Sequence, residues 1–118
     1  MNSYTPGLHI IGDIETDATL ELSDVSLLRE LINSLLDLNG LVKVGEVYHT
    51  FPEAGYTATI CLTESHISVH TWPEYGKVTY DVFLSNYMKN NDHKCRAIFQ
   101  ELADFFKSKK LQQTEIRR

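Results

Sequence analysis

Apolar residues recur at helical spacing in two parts of the chain. The first apolar stripe follows the i, i+3, i+4, i+7 spacing of one helix face: Leu28, Leu31, Ile32 and Leu35. Ser23 or Asp24 can cap this helix at its N-terminus, and Gly40 stands where a left-handed residue would end it. The spacing therefore predicts a helix that begins after the cap and ends at Gly40.

A second helix is predicted to begin near Asn91 or Asp92. Its apolar face consists of six residues: Cys95, Ile98, Phe99, Leu102, Phe105 and Phe106. Lys107, Lys109 and Lys110 follow in or after the last turn, where cations interact favourably with the helix dipole.

Period-two alternation predicts strands between and around the two helices. The predicted strands cover residues 7–12, 41–49, 57–63, 65–72, 77–84 and 111–116. Gly45 is a predicted bulge, and residues 73–76, Pro-Glu-Tyr-Gly, have the composition of a turn. Within the segment 65–72, Ile67 and Val69 point to one face. The other face carries three polar side chains: His66, Ser68 and His70.

This order of elements predicts an α+β protein. The economical arrangement is a two-layer α/β sandwich, in which an antiparallel sheet carries both helices on one face. The other face of the sheet then presents His66, Ser68 and His70, and it must meet water, a ligand or a partner chain.

The size and charge of the chain exclude several classes of function. Its 118 residues fit a single domain spanning 1–118, and the net charge of −5 argues against a nucleic-acid partner, because phosphate binding requires a basic face. No segment approaches the roughly 18 apolar residues of a membrane span, and no signal peptide is visible. Cys61 and Cys95 lack metal-type spacing, which favours free thiols in a reducing cytoplasm.

Reactive groups are densest in residues 64–74, which could be an ordinary solvated strand face. A metal site is disfavoured because His66 and His70 would lie about 13 Å apart on a strand, too far to share one ion. Ser65, His70 and Asp81 are candidates for a hydrolase triad, but the Gly-x-Ser-x-Gly elbow is missing. We therefore expect neither a metal site nor a hydrolase site.

The run ESHISVHTWPEYG, which begins at Glu64, and the YDVF of residues 80–83 closely resemble the bacterial and archaeal S-adenosylmethionine decarboxylases. That family carries approximately Glu-Ser-His-x-Ser-Ile/Val-His-Thr-Trp-Pro-Glu, followed by Asp-Val-Phe-Thr-Cys-Gly. Weaker matches lie at Gly7-Leu-His9, similar to an early Gly-x-His strand, and at His49 and Phe51, similar to a His-x-Phe segment. The resemblance covers most of the chain.

The resemblance implies that the chain cuts itself between Glu64 and Ser65, giving fragments 1–64 and 65–118. In the family, the serine hydroxyl attacks the preceding carbonyl, and the serine ends as a covalent pyruvoyl group. That group forms a Schiff base with the substrate amine and accepts the electrons left by carbon dioxide. No added cofactor is then required.

The resemblance also implies roles for other side chains. His70 matches a histidine that transfers protons during self-processing, and Thr57 matches a serine that assists it. Phe51 matches an aromatic ring that stacks on adenine, and Glu74 a carboxylate that holds the ribose hydroxyls. Ser85 stands in place of the cysteine that donates a proton to the substrate carbon. Because a hydroxyl is a far weaker acid than a thiol, this difference affects decarboxylation more than self-cleavage.

Three functions stay open at this point. The chain decarboxylates S-adenosylmethionine to supply the aminopropyl donor for spermidine, with Ser85, His70 or water as the proton source. Alternatively, it is a pyruvoyl-dependent decarboxylase of arginine or ornithine, or a non-catalytic homologue that binds a ligand or regulates an active partner. The resemblance further implies a homodimer of processed protomers with their sheet faces apposed.

Overall fold

Six antiparallel strands form one sheet, and helices pack on one of its faces. The computed structural model describes residues 4–118. In chain order the elements are β1 (Leu8–Glu15), α1 (Thr19–Ser23), α2 (Val25–Asn39), β2 (Lys43–Thr50), β3 (Tyr56–Leu62), β4 (His66–Trp72), a 3₁₀ turn (Pro73–Tyr75), β5 (Lys77–Leu84), α3 (Asp92–Phe105) and β6 (Lys110–Arg117). The predicted α+β sandwich is confirmed.

Both predicted helices are present and have the predicted ends. Asp24 caps α2 by accepting a hydrogen bond from the backbone N–H of Ser26 at 3.0 Å, and Gly40 ends the helix at φ 65°. The helix α3 begins directly after Asn91. The short helix α1 was not predicted, because its five residues bury only Leu22 and are too few to show a periodic stripe.

The sheet has the strand order β2-β3-β4-β5-β1-β6, so β1 lies in the interior between β5 and β6. The strand β1 extends three residues beyond its predicted end at Gly12. At Gly12 itself the helix α3 packs so closely that only glycine fits. A Cβ at Gly12 would lie 2.7 Å from the rings of both Tyr80 and Phe99, which stack on each other at 4.6 Å. Glycine therefore permits close packing here without interrupting the strand.

An irregularity in β2 agrees with the predicted bulge. The pairing of β2 with β3 shifts register between Lys43 and Gly45. Val42 and Val44 are consequently exposed, whereas Tyr48 packs partly against the core. The predicted alternation of inward and outward side chains is therefore found only after Gly45.

The two faces of the sheet differ in burial and polarity. The helix-covered face contributes fully buried residues from the central strands, among them Ile67, Val69, Val78 and Val82. The other face, which we call the open face, carries His66, Ser68 and His70 as half-buried side chains, as predicted. Among residues 4–118, no helix is long and apolar enough to cross a membrane.

Candidate active site

Ser65 lies in an irregular connection between two strands of the sheet. Residues 63–65 join β3 to β4 outside regular strand structure, and the backbone N–H of Leu62 donates to the carbonyl of Ser65 at 2.9 Å. Strand alternation alone would place Ser65 and His70 on opposite faces, so self-cleavage required such an irregular segment. The Glu64–Ser65 peptide bond therefore lies in a turn, outside the regular hydrogen-bonded pairing of β3 with β4.

Ser85 lies directly beside this peptide bond. Its backbone N–H donates a hydrogen bond to Ser65 Oγ at 3.0 Å, and its hydroxyl lies 3.5 Å from Glu64 Oε1. The backbone N–H of Tyr87 donates to Ser85 Oγ at 3.0 Å, which orients the hydroxyl. Ser85, a predicted site residue, is therefore in contact with both residues of the predicted cleavage site.

The buried side chain of Asn86 fixes the loop that carries Ser85. Its amide nitrogen donates to the carbonyl of Pro6 at 3.1 Å and to Asp92 Oδ1 at 2.8 Å. Its oxygen accepts from the backbone N–H of Asn91 at 2.6 Å, and Asn91 Nδ2 donates to the carbonyl of Ser85 at 2.8 Å. We call this set of bonds the Asn86 clamp. It connects the loop to the start of α3 and to the segment before β1.

A second group of predicted site residues lies at the other end of β4. Thr57 Oγ1 and His70 Nδ1 share a hydrogen bond of 3.1 Å across the β3–β4 pair. Phe51 and Glu74 line one cavity of about 200 Å³, together with Trp72 and residues of the β2–β3 connection. The two predicted substrate-binding residues are therefore brought together.

The larger cavity, of about 450 Å³, contains none of the predicted site residues. It lies between the segment 15–19, the 3₁₀ turn and Lys109, and its walls are mainly polar. The smaller cavity is the one lined by both predicted substrate-binding residues, Phe51 and Glu74.

The two groups are separated along β4 within one chain. Ser65 precedes the strand, whereas His70 is five residues further on, a distance of about 16 Å at 3.3 Å per residue. His70 therefore cannot exchange a proton with Ser65 of its own chain in this arrangement. We call Glu64, Ser65 and Ser85 the cleavage half-site, and Phe51, Thr57, His70 and Glu74 the binding half-site.

A third polar cluster lies on the open face and was not predicted. Asp81 Oδ2 accepts hydrogen bonds of 2.8 Å from both His9 Nε2 and His66 Nε2, and Ser68 Oγ donates to Asp81 Oδ1 at 2.5 Å. Burial by itself raises the pKa of Asp81, but these hydrogen bonds from Ser68, His9 and His66 outweigh burial, so the pKa lies below its usual value. The side chains come from three strands, and only the sheet register reveals their proximity.

Comparison with known protein families identifies the chain's relatives. The family model described as S-adenosylmethionine decarboxylase matches residues 8–118. An S-adenosylmethionine decarboxylase proenzyme of Archaeoglobus fulgidus is 38% identical over 77 residues, covering 65% of this chain and 69% of the relative. The proenzyme of Thermoplasma volcanium is 32% identical over 96 residues, covering 81% and 74% respectively.

Aquifex aeolicus provides both a sequence relative and a solved structure. Its S-adenosylmethionine decarboxylase proenzyme is 39% identical over 79 residues, but the match covers only 58% of that protein and 67% of this chain. The crystal structure of an adenosylmethionine decarboxylase from the same organism superposes with a TM-score of 0.85 at 28% identity. That superposition covers 98% of this chain and 92% of the solved one.

Proposed function

The chain belongs to the S-adenosylmethionine decarboxylase family, and we propose that it is a self-processing, pyruvoyl-dependent decarboxylase of S-adenosylmethionine. The observation that carries this proposal is the geometry of the cleavage half-site. Ser65 Oγ is held by the N–H of Ser85, in an irregular turn, beside the peptide bond that it would attack. The product would supply the aminopropyl donor for spermidine, and the free Cys61 and Cys95 support a cytoplasmic location.

Self-processing needs only groups that this chain contains, and water. Ser65 Oγ attacks the carbonyl carbon of Glu64, the C–N bond breaks, an ester forms, and the hydroxyl proton passes to the released nitrogen. Removal of the Ser65 α-proton then breaks the Cβ–O bond, which frees the carboxylate of Glu64. Water hydrolyses the remaining dehydroalanine to the pyruvoyl group and ammonia. That group supplies a carbonyl that binds the substrate amine and draws electrons from the breaking carbon–carboxylate bond.

The hydrogen bond from Ser85 prepares this attack. An N–H donor at 3.0 Å restricts Ser65 Oγ to one position and leaves the hydroxyl proton available for transfer. However, within residues 4–118, the hydrogen bonds that surround Ser65 and Ser85 include no imidazole that could carry the proton transfers. His70 has the required chemistry but lies about 16 Å away along the same strand.

We infer that a second copy of the chain supplies the missing base. A two-fold pairing of open faces about an axis perpendicular to β4 would place the binding half-site of one chain opposite the cleavage half-site of the other, because such an axis exchanges the two ends of the strand. The open face also carries exposed apolar side chains that such pairing would bury, including Ile11, Val47 and Ile116. Two complete sites would then form per homodimer.

Mixing two inactive variants tests the shared site. Ser65→Ala and His70→Ala chains should each remain uncut when expressed alone. When the two are co-expressed, the His70→Ala chain should be cut, because its Ser65 meets an intact His70 of the other subunit. If co-expression restores no cleavage although dimers form, or if His70→Ala cuts itself at the wild-type rate, the shared site is wrong.

The binding half-site supports an adenosyl substrate. An aromatic ring such as Phe51 can stack on adenine, and a carboxylate such as Glu74 can accept hydrogen bonds from both ribose hydroxyls. Arginine and ornithine have neither group. We therefore expect carbon dioxide to be released from S-adenosylmethionine in preference to the two amino acids.

Carbon dioxide release from carboxyl-labelled S-adenosylmethionine, arginine and ornithine tests the substrate. Phe51→Ala should raise KM for S-adenosylmethionine roughly tenfold or more, since one base–aromatic stack contributes about 1–3 kcal/mol. A Tyr75→Ala variant, which removes an exposed ring outside this cavity, is the matched control. Preferential release from arginine or ornithine would assign the amino-acid activity instead, and a processed chain that releases nothing from any of the three would indicate a non-catalytic homologue.

A further inference from the structure

Two imidazoles and one carboxylate converge on the open face, next to the cleavage half-site but part of neither half-site. His9 lies on β1, His66 on β4 and Asp81 on β5, and their nearest ligand atoms all lie within 4.8 Å of one another. His66 follows Ser65 in the sequence, but its side chain extends across the open face to Asp81. We propose that these three side chains bind one divalent transition-metal ion of the zinc type.

The spacing of the ligand atoms is close to that of a bound ion. Both Nε2 atoms lie 2.8 Å from Asp81 Oδ2. Ligands bonded to one ion at about 2.1 Å lie about 3.0 Å apart in octahedral geometry and about 3.4 Å apart in tetrahedral geometry. Each nitrogen–oxygen distance is therefore within a few tenths of an ångström of the spacing at an ion, and the ligand atoms lie no more than 4.8 Å apart, so side-chain rotation can bring them around one ion.

The sheet holds the three side chains in place before any ion binds. His9 and His66 both pair with Phe83 across the strand ladders, and their rings lie 5.5 and 5.7 Å from its ring. Ser68 Oγ donates to the other oxygen of Asp81 at 2.5 Å, which fixes the carboxylate plane. A hydrogen-bonded carboxylate and an apolar wall are the surroundings that orient metal ligands in proteins.

Binding an ion requires a change of histidine tautomer. The carboxylate accepts hydrogen bonds, so both rings carry their proton on Nε2, and an ion needs the lone pair at that atom. Each Nε2 must therefore give up its proton, to Nδ1 of the same ring or to water, when the ion binds. His9 Nδ1 lies 3.4 Å from Arg118 Nη1, so the exposed Arg118 side chain must turn away when the ion binds.

The donor set indicates which metals the site would accept. Two imidazoles with one carboxylate suit Zn²⁺, Co²⁺, Ni²⁺ and Fe²⁺, whereas Mg²⁺ and Ca²⁺ prefer oxygen ligands throughout. The His66 side chain is 37% exposed, so water or a group of a second chain can complete the coordination. The proposal depends on neither self-cleavage nor decarboxylation.

Zinc titration of the full, untagged chain after chelator treatment tests the proposal. We expect one Zn²⁺ per chain to remain after desalting, and Co²⁺ to give visible d–d absorption with coordinated imidazole. His66→Gln and Asp81→Asn should weaken Zn²⁺ binding at least tenfold. His93→Gln removes an exposed histidine on α3 and should bind Zn²⁺ as the wild type does.

Folding of each variant is checked by circular dichroism and thermal melting. If Asp81→Asn does not fold, the half-exposed His66→Gln decides the result alone. The proposal is overturned if the wild type retains no zinc after desalting, or if wild type and folded His66→Gln bind zinc equally. In either case the three side chains form a hydrogen-bond network only.

Discussion

Ser85 is the residue at which this chain differs most in chemistry from the family pattern. The family resemblance matches it to a cysteine that is expected to donate a proton, and the structure places it in contact with Ser65 and Glu64. Its backbone N–H would be present with either a serine or a cysteine at position 85. The hydrogen bond to Ser65 Oγ proposed to assist self-cleavage should therefore not depend on which of the two is present. The hydroxyl of Ser85, by contrast, is a much weaker acid than a thiol. The substitution should therefore slow proton donation to the substrate and spare self-cleavage.

Restoring the thiol should accelerate decarboxylation. We expect Ser85→Cys to raise kcat on S-adenosylmethionine by roughly ten- to a hundredfold, the low range for one well-placed general acid, with little change in KM. Steady-state carbon dioxide release measures the effect, and Ser85→Ala is the control that removes the donor. A kcat for Ser85→Cys equal to that of the wild type would show that proton donation by residue 85 does not limit the reaction.

Candidate site residues could be proposed from the sequence only where a family motif carries them. The run from Glu64 to Glu74 supplied the candidates Ser65 and His70, and weaker matches supplied Phe51, Thr57 and Ser85. His9 is 72 residues from Asp81 in sequence, and only the pairing of β1 with β5 brings the two together. The separation of Ser65 from His70 follows from strand spacing, and the proposed second chain is inferred from that separation.

At the scale of elements, periodicity predicted the long helices and the strands because each buries one face. The loop between β5 and α3 has no such period, and its order depends on the Asn86 clamp. The family pattern has a glycine at the position of Asn86. A glycine has no side chain, so it could not make the hydrogen bonds of the Asn86 clamp. The clamp holds Ser85 against Ser65 through bonds to the start of α3.

Removing the Asn86 side chain should weaken both stability and self-cleavage. Asn86→Ala removes the part-buried hydrogen bonds to the N–H of Asn91 and the carbonyl of Pro6, which should cost about 1–3 kcal/mol of unfolding free energy. The Ser85 N–H should then lose its alignment, and the rate of chain cutting should fall. Denaturant unfolding and timed gel analysis measure the two effects.

Lys89→Ala, in the same loop but exposed, is the matched control and should change neither quantity. If Asn86→Ala loses stability but cuts at the wild-type rate, the clamp has a structural role only.

At the scale of the whole molecule, the order of strands could not be predicted. The pairing of β1 with both β5 and β6 depends on contacts between the chain's two ends, for which no local pattern exists. The strand β6 is also held to α3 by an ion pair between Asp92 and Arg117, with nitrogen–oxygen distances of 2.7 and 2.8 Å. The hydrogen bonds from Arg117 and then from Asn86 lower the pKa of Asp92 to about 2.

From this ion pair we predict how the free energy of unfolding changes at acid pH. Asp92 titrates near 3.9 when unfolded and near 2 when folded, so its contribution to stability is complete above about pH 4 and is lost as the pH falls towards 2. Asp92→Asn should be less stable at pH 6 and should lose less unfolding free energy between pH 4 and pH 2. Denaturant unfolding across this range measures the difference.

The control is Glu101→Gln, an exposed carboxylate on the same helix. Identical pH dependence of wild type and Asp92→Asn would show that the ion pair does not stabilise the fold.

Intact-mass analysis of the freshly purified chain tests the central claim most directly. The account predicts two fragments, residues 1–64 and a fragment beginning at position 65 that has lost one ammonia and is blocked to N-terminal sequencing. A Ser65→Ala chain should stay whole. If the wild-type chain remains a single polypeptide after prolonged incubation as a folded dimer, with an unmodified serine at position 65, the chain does not make its own pyruvoyl group and the account is wrong.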